Sequence, residues 1–170
     1  TMTMDKFSLH QIYEKHFVVA EKNRLLSSAI KSARKRAHKI LHQPGDYDNE
    51  VFNVMLQESY MQPHLHPSEE KIEHIYIIEG AVDVIFFKND GEVIACDKLR
   101  PDSDCFFSVV PAFAWHGYVI RSEYAITFET MQGIYSEETW KTFASWAPKE
   151  NSLEAEKYLS SIKRVAETFY

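Results

Sequence analysis

Apolar residues recur along this chain with two different periods, and the changes of period divide it into three stretches. Between residues 22 and 40, Leu25, Leu26, Ala29, Ile30, Ala33 and Ala37 fall on one face of a helix. The stretch before it, 5–20, is weakly patterned, and its Phe7, Leu9, Ile12 and Phe17 are expected to pack as an arm. Pro44 and Gly45 end the helical region. From there the period drops to two. Apolar, β-branched and aromatic runs cover 51–58, 61–66, 72–79, 81–88, 92–96, 105–110, 114–120 and 124–130. Within 72–79, Glu73, Ile75 and Ile77 share one face and His74 and Tyr76 the other. Pro63 suits an edge or a bulge, and Asn89-Asp90-Gly91 is a hairpin turn. About eight short strands with close turns predict a β-sandwich or barrel.

After Gly133 the pattern changes again. Residues 136–143 read as a short helix or turn. Asn151 with Glu154 reads as a capping pair opening an amphipathic helix through Leu153, Leu159, Ile162, Val165, Ala166 and Phe169. No repeat or linker interrupts the chain. The expectation is one domain over 1–170: a helical arm at 5–42, a barrel at about 46–133, and a C-terminal extension with a helix at 134–170.

Composition narrows the function. The net charge of −6 argues against nucleic acid as a partner. Seven Lys or Arg residues and no acid lie between Lys22 and Lys39, which reads as a solvated helix face in preference to an anion site. Cys96 and Cys105 do not form a CxxC pair, so reduced, buried thiols and a cytoplasmic location are expected. No signal-peptide pattern is visible over Thr1–His10, and no apolar run is long enough for a membrane span. Thr1 and Met2, ahead of a second Met, are set aside from the fold.

The chemistry concentrates in a few residues. In Pro63-His64-Leu65-His66 the two histidines stand at i and i+2 of an extended segment, so both imidazoles can meet one ion. Glu73 shares a face with Ile75 and Ile77, where a carboxylate would be buried and a metal would be an apt partner; an ordinary surface acid is the other reading. His116, early in a strand after Pro111 and flanked by Trp115 and Tyr118, is either a ligand or a satisfied core histidine.

Together, His64-Leu65-His66, Glu73 with Gly80 after it, and Pro111 with His116 after it resemble the two motifs of the cupin superfamily. That resemblance implies a small all-β jelly-roll barrel with flanking helices, holding one divalent transition metal (Zn, Fe, Mn or Ni) through His64, His66, Glu73 and His116. Glu58 and Phe113 stand where the motifs usually have Gly, Ile120 where Asn is common, and six residues separate His66 from Glu73. A narrower set, Arg36-Ala37-His38, Tyr60, Glu70-Lys71, Trp115-His116, Gly133, Tyr135, Lys141, Phe143 and Trp146-Ala147-Pro148, is similar to the WbuC-type cupin-fold metalloproteins, with His38 in place of Asn and Glu50 in place of Arg. This similarity implies a surface-polysaccharide context and a sugar or sugar-nucleotide ligand, without a defined reaction. It makes Arg36, Tyr60, Lys71 and Tyr135 the expected substrate-binding residues.

Three function classes follow. A metal-dependent enzyme of isomerase, epimerase or hydrolase type, acting on a small polar ligand, leads. A non-catalytic sugar-binding sensor and an interaction protein are the alternatives, and the chain has no room for a DNA-binding output domain beside the barrel. Terminal-helix faces and edge strands make a homodimer an expectation. The aromatic-rich segment from Gly133 to Pro148 is expected either to pack on the barrel wall or to cap its mouth, with Tyr135 opposing Arg36.

Overall fold

The computed structural model describes residues 6–14 and 16–170. Residues 1–5, half of the segment read for a leader, and residue 15 of the expected arm lie outside the described residues. In chain order the elements are α1 (Leu9–Tyr13), α2 (Val19–Lys31), β1 (Arg36–Ile40), β2 (Asp48–Leu56), β3 (His64–Leu65), β4 (Glu73–Glu79), β5 (Val82–Phe87), β6 (Val93–Leu99), β7 (Phe107–Val110), β8 (Trp115–Ile120), β9 (Tyr124–Gln132), β10 (Thr142–Phe143) and α3 (Ala155–Ala166).

Ten strands form two five-stranded antiparallel sheets, ordered β1-β2-β9-β4-β7 and β10-β3-β8-β5-β6. Apart from the β1–β2 and β5–β6 pairs, consecutive strands alternate between the sheets, as in a jelly roll. Alternation decides what each sheet turns inward. Met55, Ile75, Ile77, Val82, Val84, Leu99, Val110, Tyr118, Ile120 and Ala125 meet between the sheets as one buried cluster. The inward rows are graded along their strands. β8 runs His116, Tyr118, Ile120; β4 runs Glu73, Ile75, Ile77; and β9 runs Ala125, Thr127, Glu129. One end of the barrel is therefore closed by hydrocarbon, and the other is lined by groups that can bond or ligate.

The helices cover the outer faces. On α2, Leu25 and Ala29 stand one turn apart and are buried, and Leu25 packs on Val54 and Ile126. On α3, Ala155, Leu159, Ile162 and Ala166 form one buried stripe against Ile85, Phe87 and Val119 of the second sheet.

Four expectations need correction. The helix expected over 22–40 ends at Lys31, and Arg36, Ala37 and His38 belong to β1, paired with Met55, Val54 and Asn53. Ala37, four residues after Ala33, had continued the apolar face of the helix by coincidence, and Lys35, at φ 56, turns the chain between the two elements. Of the expected arm residues, Phe7, Leu9 and Ile12 are exposed, and only Phe17 packs, stacked on Phe52. Of the helix or turn read over 136–143, the turn is present at 137–139 and the helix is not, and Thr142 and Phe143 form a strand against Leu65 and His64. Asn151 does not cap α3. It sits at φ 64, and Glu154 is the N-cap without a side-chain bond.

The basic run is used inside the fold. Lys22 pairs with Glu79, Arg24 and Lys39 with Glu21, and Arg34 and Arg36 with Glu150. Both cysteines are free thiols. No helix of the described residues is long and apolar enough to cross a membrane.

Candidate metal centre

Antiparallel pairing brings the histidines together. His64 on β3 lies directly opposite His116 on β8, and their ring centroids are 4.5 Å apart. His66 follows β3, with its ring 5.2 Å from His64 and 5.4 Å from His116. All three are buried, and ligating nitrogens of the three lie within 4.8 Å of one another. Such a buried triad could hold a metal ion.

The backbone sets the tautomers. Nδ1 of His64 faces the carbonyl of Gln62 at 3.0 Å, Nδ1 of His66 that of Trp140 at 2.9 Å, and Nδ1 of His116 that of Ala114 at 2.9 Å. A carbonyl only accepts, so each Nδ1 carries the hydrogen and each Nε2 of a neutral ring offers a lone pair. Fixing the far nitrogen in this way is how proteins aim imidazoles at a metal. Nε2 of His116 is fully buried and has no hydrogen-bond partner. Leaving such an atom unmet costs about 1–3 kcal/mol, which an ion at that point would remove. Burial, then the neighbouring charges of His116, Lys141 and His66, hold His64 well below the usual histidine pKa, which keeps its lone pair available.

Glu73, at the head of β4, comes from the opposite sheet. Its Oε2 is 2.8 Å from Nε2 of His66 and 3.7 Å from Nε2 of His116. Burial pushes this carboxyl up, but the imidazoles of His116 and His66 beside it outweigh that and hold it well below the ordinary carboxylate range. An ionised oxygen and an imidazole lone pair at 2.8 Å repel unless a cation lies between them. A proton or a metal ion meets that need.

A second carboxylate lies behind the first. Tyr118 Oη is 2.5 Å from Glu73 Oε1 and 2.7 Å from Glu129 Oε1. One phenol hydrogen cannot satisfy two ionised acids. Burial and the charge of Glu73 raise the Glu129 pKa to about 8, so Glu129 keeps a proton near neutrality. Oε1 of Glu129 then donates to Tyr118, and Tyr118 donates to Glu73. Asn53 and Thr127 hold the other oxygen of Glu129. Neither Tyr118 nor Glu129 was singled out from the sequence. Their signal was the two-residue spacing from His116 along β8 and the polar alternation in β9.

The segment after β9 crosses this end of the barrel. Lys71 donates to the Thr139 carbonyl at 2.9 Å and lies over the Trp140 ring, Ala144 N bonds to Pro63 O at 2.9 Å, and β10 joins the sheet beside β3. The Trp140 carbonyl that orients His66 belongs to this strap.

The four expected substrate-binding residues are placed less uniformly. Arg36 is bonded to Glu150 at 2.6 Å, and also to Ser59, the Tyr60 carbonyl and the Arg34 carbonyl, which occupies its donors within the protein. Tyr60 is buried beneath α3, with its hydroxyl on the Pro148 carbonyl at 2.6 Å, so it is a packing residue. Lys71 is buried and fastens the strap. Tyr135 is exposed and touches Trp140 edge-on, which places Trp140 between it and His66. Phe113 keeps the left-handed turn, at φ 66, that a glycine serves in the resembling motif. Gly80 cannot be replaced so easily, because a Cβ there would clash with the Tyr124 carbonyl.

Residues 20–99, just under half of the chain, match a family model described as a domain of unknown function, DUF6016. No curated protein matches the chain. Among solved structures, CapF is similar with a TM-score of 0.55 and 16% identity over 66% of this chain and 32% of CapF. A Shewanella oneidensis protein is similar at 0.52 and 10% identity over 76% and 83% of the two chains. The DMSP lyase DddQ from Ruegeria pomeroyi follows at 0.51 and 16%, over 67% and 54%. The chain spans about a third of the length of CapF. At these identities the likeness is one of fold, and the fold is a cupin.

Proposed function

We propose that the chain is one cupin domain that holds a single divalent transition metal through His64, His66, Glu73 and His116 and acts there on a small polar ligand. The observation that carries this reading is the set of three buried imidazoles whose Nδ1 atoms are all spoken for by carbonyls, with the orphaned Nε2 of His116 among them. Glu73 supplies the one negative charge at the cluster. Three imidazoles and a carboxylate suit Zn, Fe(II), Mn or Ni. When bound, the ion would polarise a carbonyl or lower the pKa of a water.

The chain's own groups supply the proton chemistry. Glu129 stores a proton at Oε1, Tyr118 passes hydrogen bonding from it to Glu73, and this line ends at the ligand set. An enzyme is the reading this store favours over a sensor, because a buried acid with a pKa of about 8 suits proton exchange near neutrality. The WbuC-type resemblance supports a sugar-derived ligand, and CapF, of similar fold, is named in one structure as a capsular polysaccharide assembling protein of Staphylococcus aureus. The free thiols suit a cytoplasmic location, and the exposed Tyr76, Phe107 and Val109 of the first sheet suit a homodimer.

Elemental analysis of protein purified without chelator or metal-affinity resin tests the centre, with about one ion per chain expected. No metal in that sample and none after reconstitution would overturn the reading. Light scattering on the same sample reads the oligomeric state. Thermal-shift screening with nucleotide sugars and uronic acids tests the ligand class, and binding without turnover under every metal would favour the sensor.

A further inference from the structure

The strap carries one cation, Lys141, and among the described residues the fold gives it no hydrogen-bond or ion-pair partner. Phe143 pairs with His64 and Thr142 with Leu65, so Lys141 falls next in register, opposite His66. Paired residues share a face of a sheet, which puts Lys141 and Phe143 on the side of His64 and His66, with Thr142 turned away. The 6.2 Å approach of the His64 and Phe143 rings fits that placement, as does the Lys141 Nζ lying 5.6 Å from the centre of the Phe143 ring.

Lys141 is mostly shielded from water, yet among the described residues its Nζ has neither a hydrogen-bond acceptor nor an ion-pair partner beyond that ring. The contrast with Arg36 and Lys71 is direct. Arg36 has Glu150, and Lys71 has the Thr139 carbonyl. Glu150 is already shared between Arg36 and Arg34. The strap that carries Lys141 is fastened on both sides of it, by Lys71 at Thr139 and by Ala144 at Pro63. A half-buried ammonium with no acceptor in the protein is left to water alone, and an anion from outside the chain can take that water's place. Burial draws its pKa below the ordinary lysine value, with Glu73 opposing, so an arriving anion would recover solvation that the protein withholds.

We propose that Lys141 is the ligand-binding cation of the pocket, and that the ligand it takes is a small oxyanion, a carboxylate or a phosphate, seated beside the three-histidine centre. The inference deepens the metal-centre reading and rests on it. It assigns the anion contact to the strap, in place of Arg36 on β1 or Tyr135 on the outer surface. A neutral polyol would leave the ammonium unmet, so affinity is expected to follow charge.

The test uses the full chain loaded with Co2+, whose visible spectrum reports ligands near the metal. Glycolate, inorganic phosphate and uncharged ethylene glycol are titrated against the wild type, Lys141→Met and Lys141→Arg. At least one anion should bind the wild type and lose about tenfold or more in Lys141→Met, while Lys141→Arg keeps most of the affinity. Ethylene glycol should not distinguish the variants, and Co2+ stoichiometry and melting temperature should stay unchanged. The anion with the larger loss identifies carboxylate or phosphate as the natural group. Equal anion affinity in Lys141→Met and wild type, or no binding of either anion to the Co2+ protein, overturns the inference alone. Failure of the wild type to bind Co2+ overturns the metal centre and this inference with it.

Discussion

At the residue scale, the site is organised by what each polar atom can donate or accept. Three carbonyls fix three Nδ1 hydrogens, and one phenol lies between two carboxylates. The second arrangement makes stability depend on pH in a way that can be worked out. Glu129 has an ordinary carboxyl pKa when unfolded and one of about 8 when folded, so between those values the folded chain binds the extra proton. Stability contributed by that proton is fully present at low pH and is lost as pH rises through about 8. Below about 6.5 the depressed pKa values of His64 and His38 oppose it, because the unfolded chain then takes up protons that the folded chain refuses. The clean window is therefore about pH 6.5 to 8. In metal-free protein the urea midpoint is expected to fall across this window. Glu129→Gln, which keeps a donor facing Tyr118, should flatten the slope. An equally steep fall in Glu129→Gln would assign the effect to another group.

At the scale of elements, β1 and the strap decide which of the expected ligand residues can serve. Arg36 lies on a strand whose side chain turns toward Glu150, Ser59 and the Tyr60 carbonyl, so its guanidinium joins β1 to the loop before β3 and to the segment after β10. Arg36→Ala should cost about 2–3 kcal/mol of stability, the scale of buried hydrogen bonds to charged groups, and leave anion affinity of the Co2+ protein within about twofold. Urea unfolding and the glycolate titration measure the two; a large loss of affinity with unchanged stability would return Arg36 to the pocket. The same elements show what the sequence made legible. Strict alternation in 72–79 placed Glu73 with Ile75 and Ile77, and β4 has that face inward. The hairpin at Asn89-Asp90-Gly91 joins β5 to β6 as its turn residues require. β1 was hidden because Ala37 serves a helix face as well as a strand, and only the pairing with β2 decides between them. The strand at 142–143 has two residues, too few for any period, and the orienting carbonyls of Gln62, Ala114 and Trp140 have no side-chain signature at all.

At the scale of the whole molecule, the proposed ligand set joins the two sheets. His64 and His116 belong to the sheet ordered β10-β3-β8-β5-β6, and Glu73 belongs to the other. Between them the apolar cluster closes only the far end of the barrel, so the ligating end is held by hydrogen bonds, by the strap and, in this reading, by the ion. An ion bound by both sheets in the folded chain alone stabilises it in proportion to the logarithm of its concentration over Kd. At a hundredfold excess over Kd this amounts to about 2.7 kcal/mol. For a chain of this size that corresponds to a rise in melting temperature of about 5–10 °C on metal addition, reversed by chelator. His116→Ala should abolish the metal-dependent rise, since it removes a ligand from one sheet. Leu159→Ala, on the buried face of α3 and outside the barrel, should lower stability by the cost of a core cavity, about 2–5 kcal/mol, and keep the full metal-dependent increment. Calorimetry of the three proteins with and without metal separates the contributions. An increment that survives His116→Ala would move the ion away from the three histidines, and one that disappears in Leu159→Ala would mean that α3, which carries none of the proposed ligands, takes part in holding the metal.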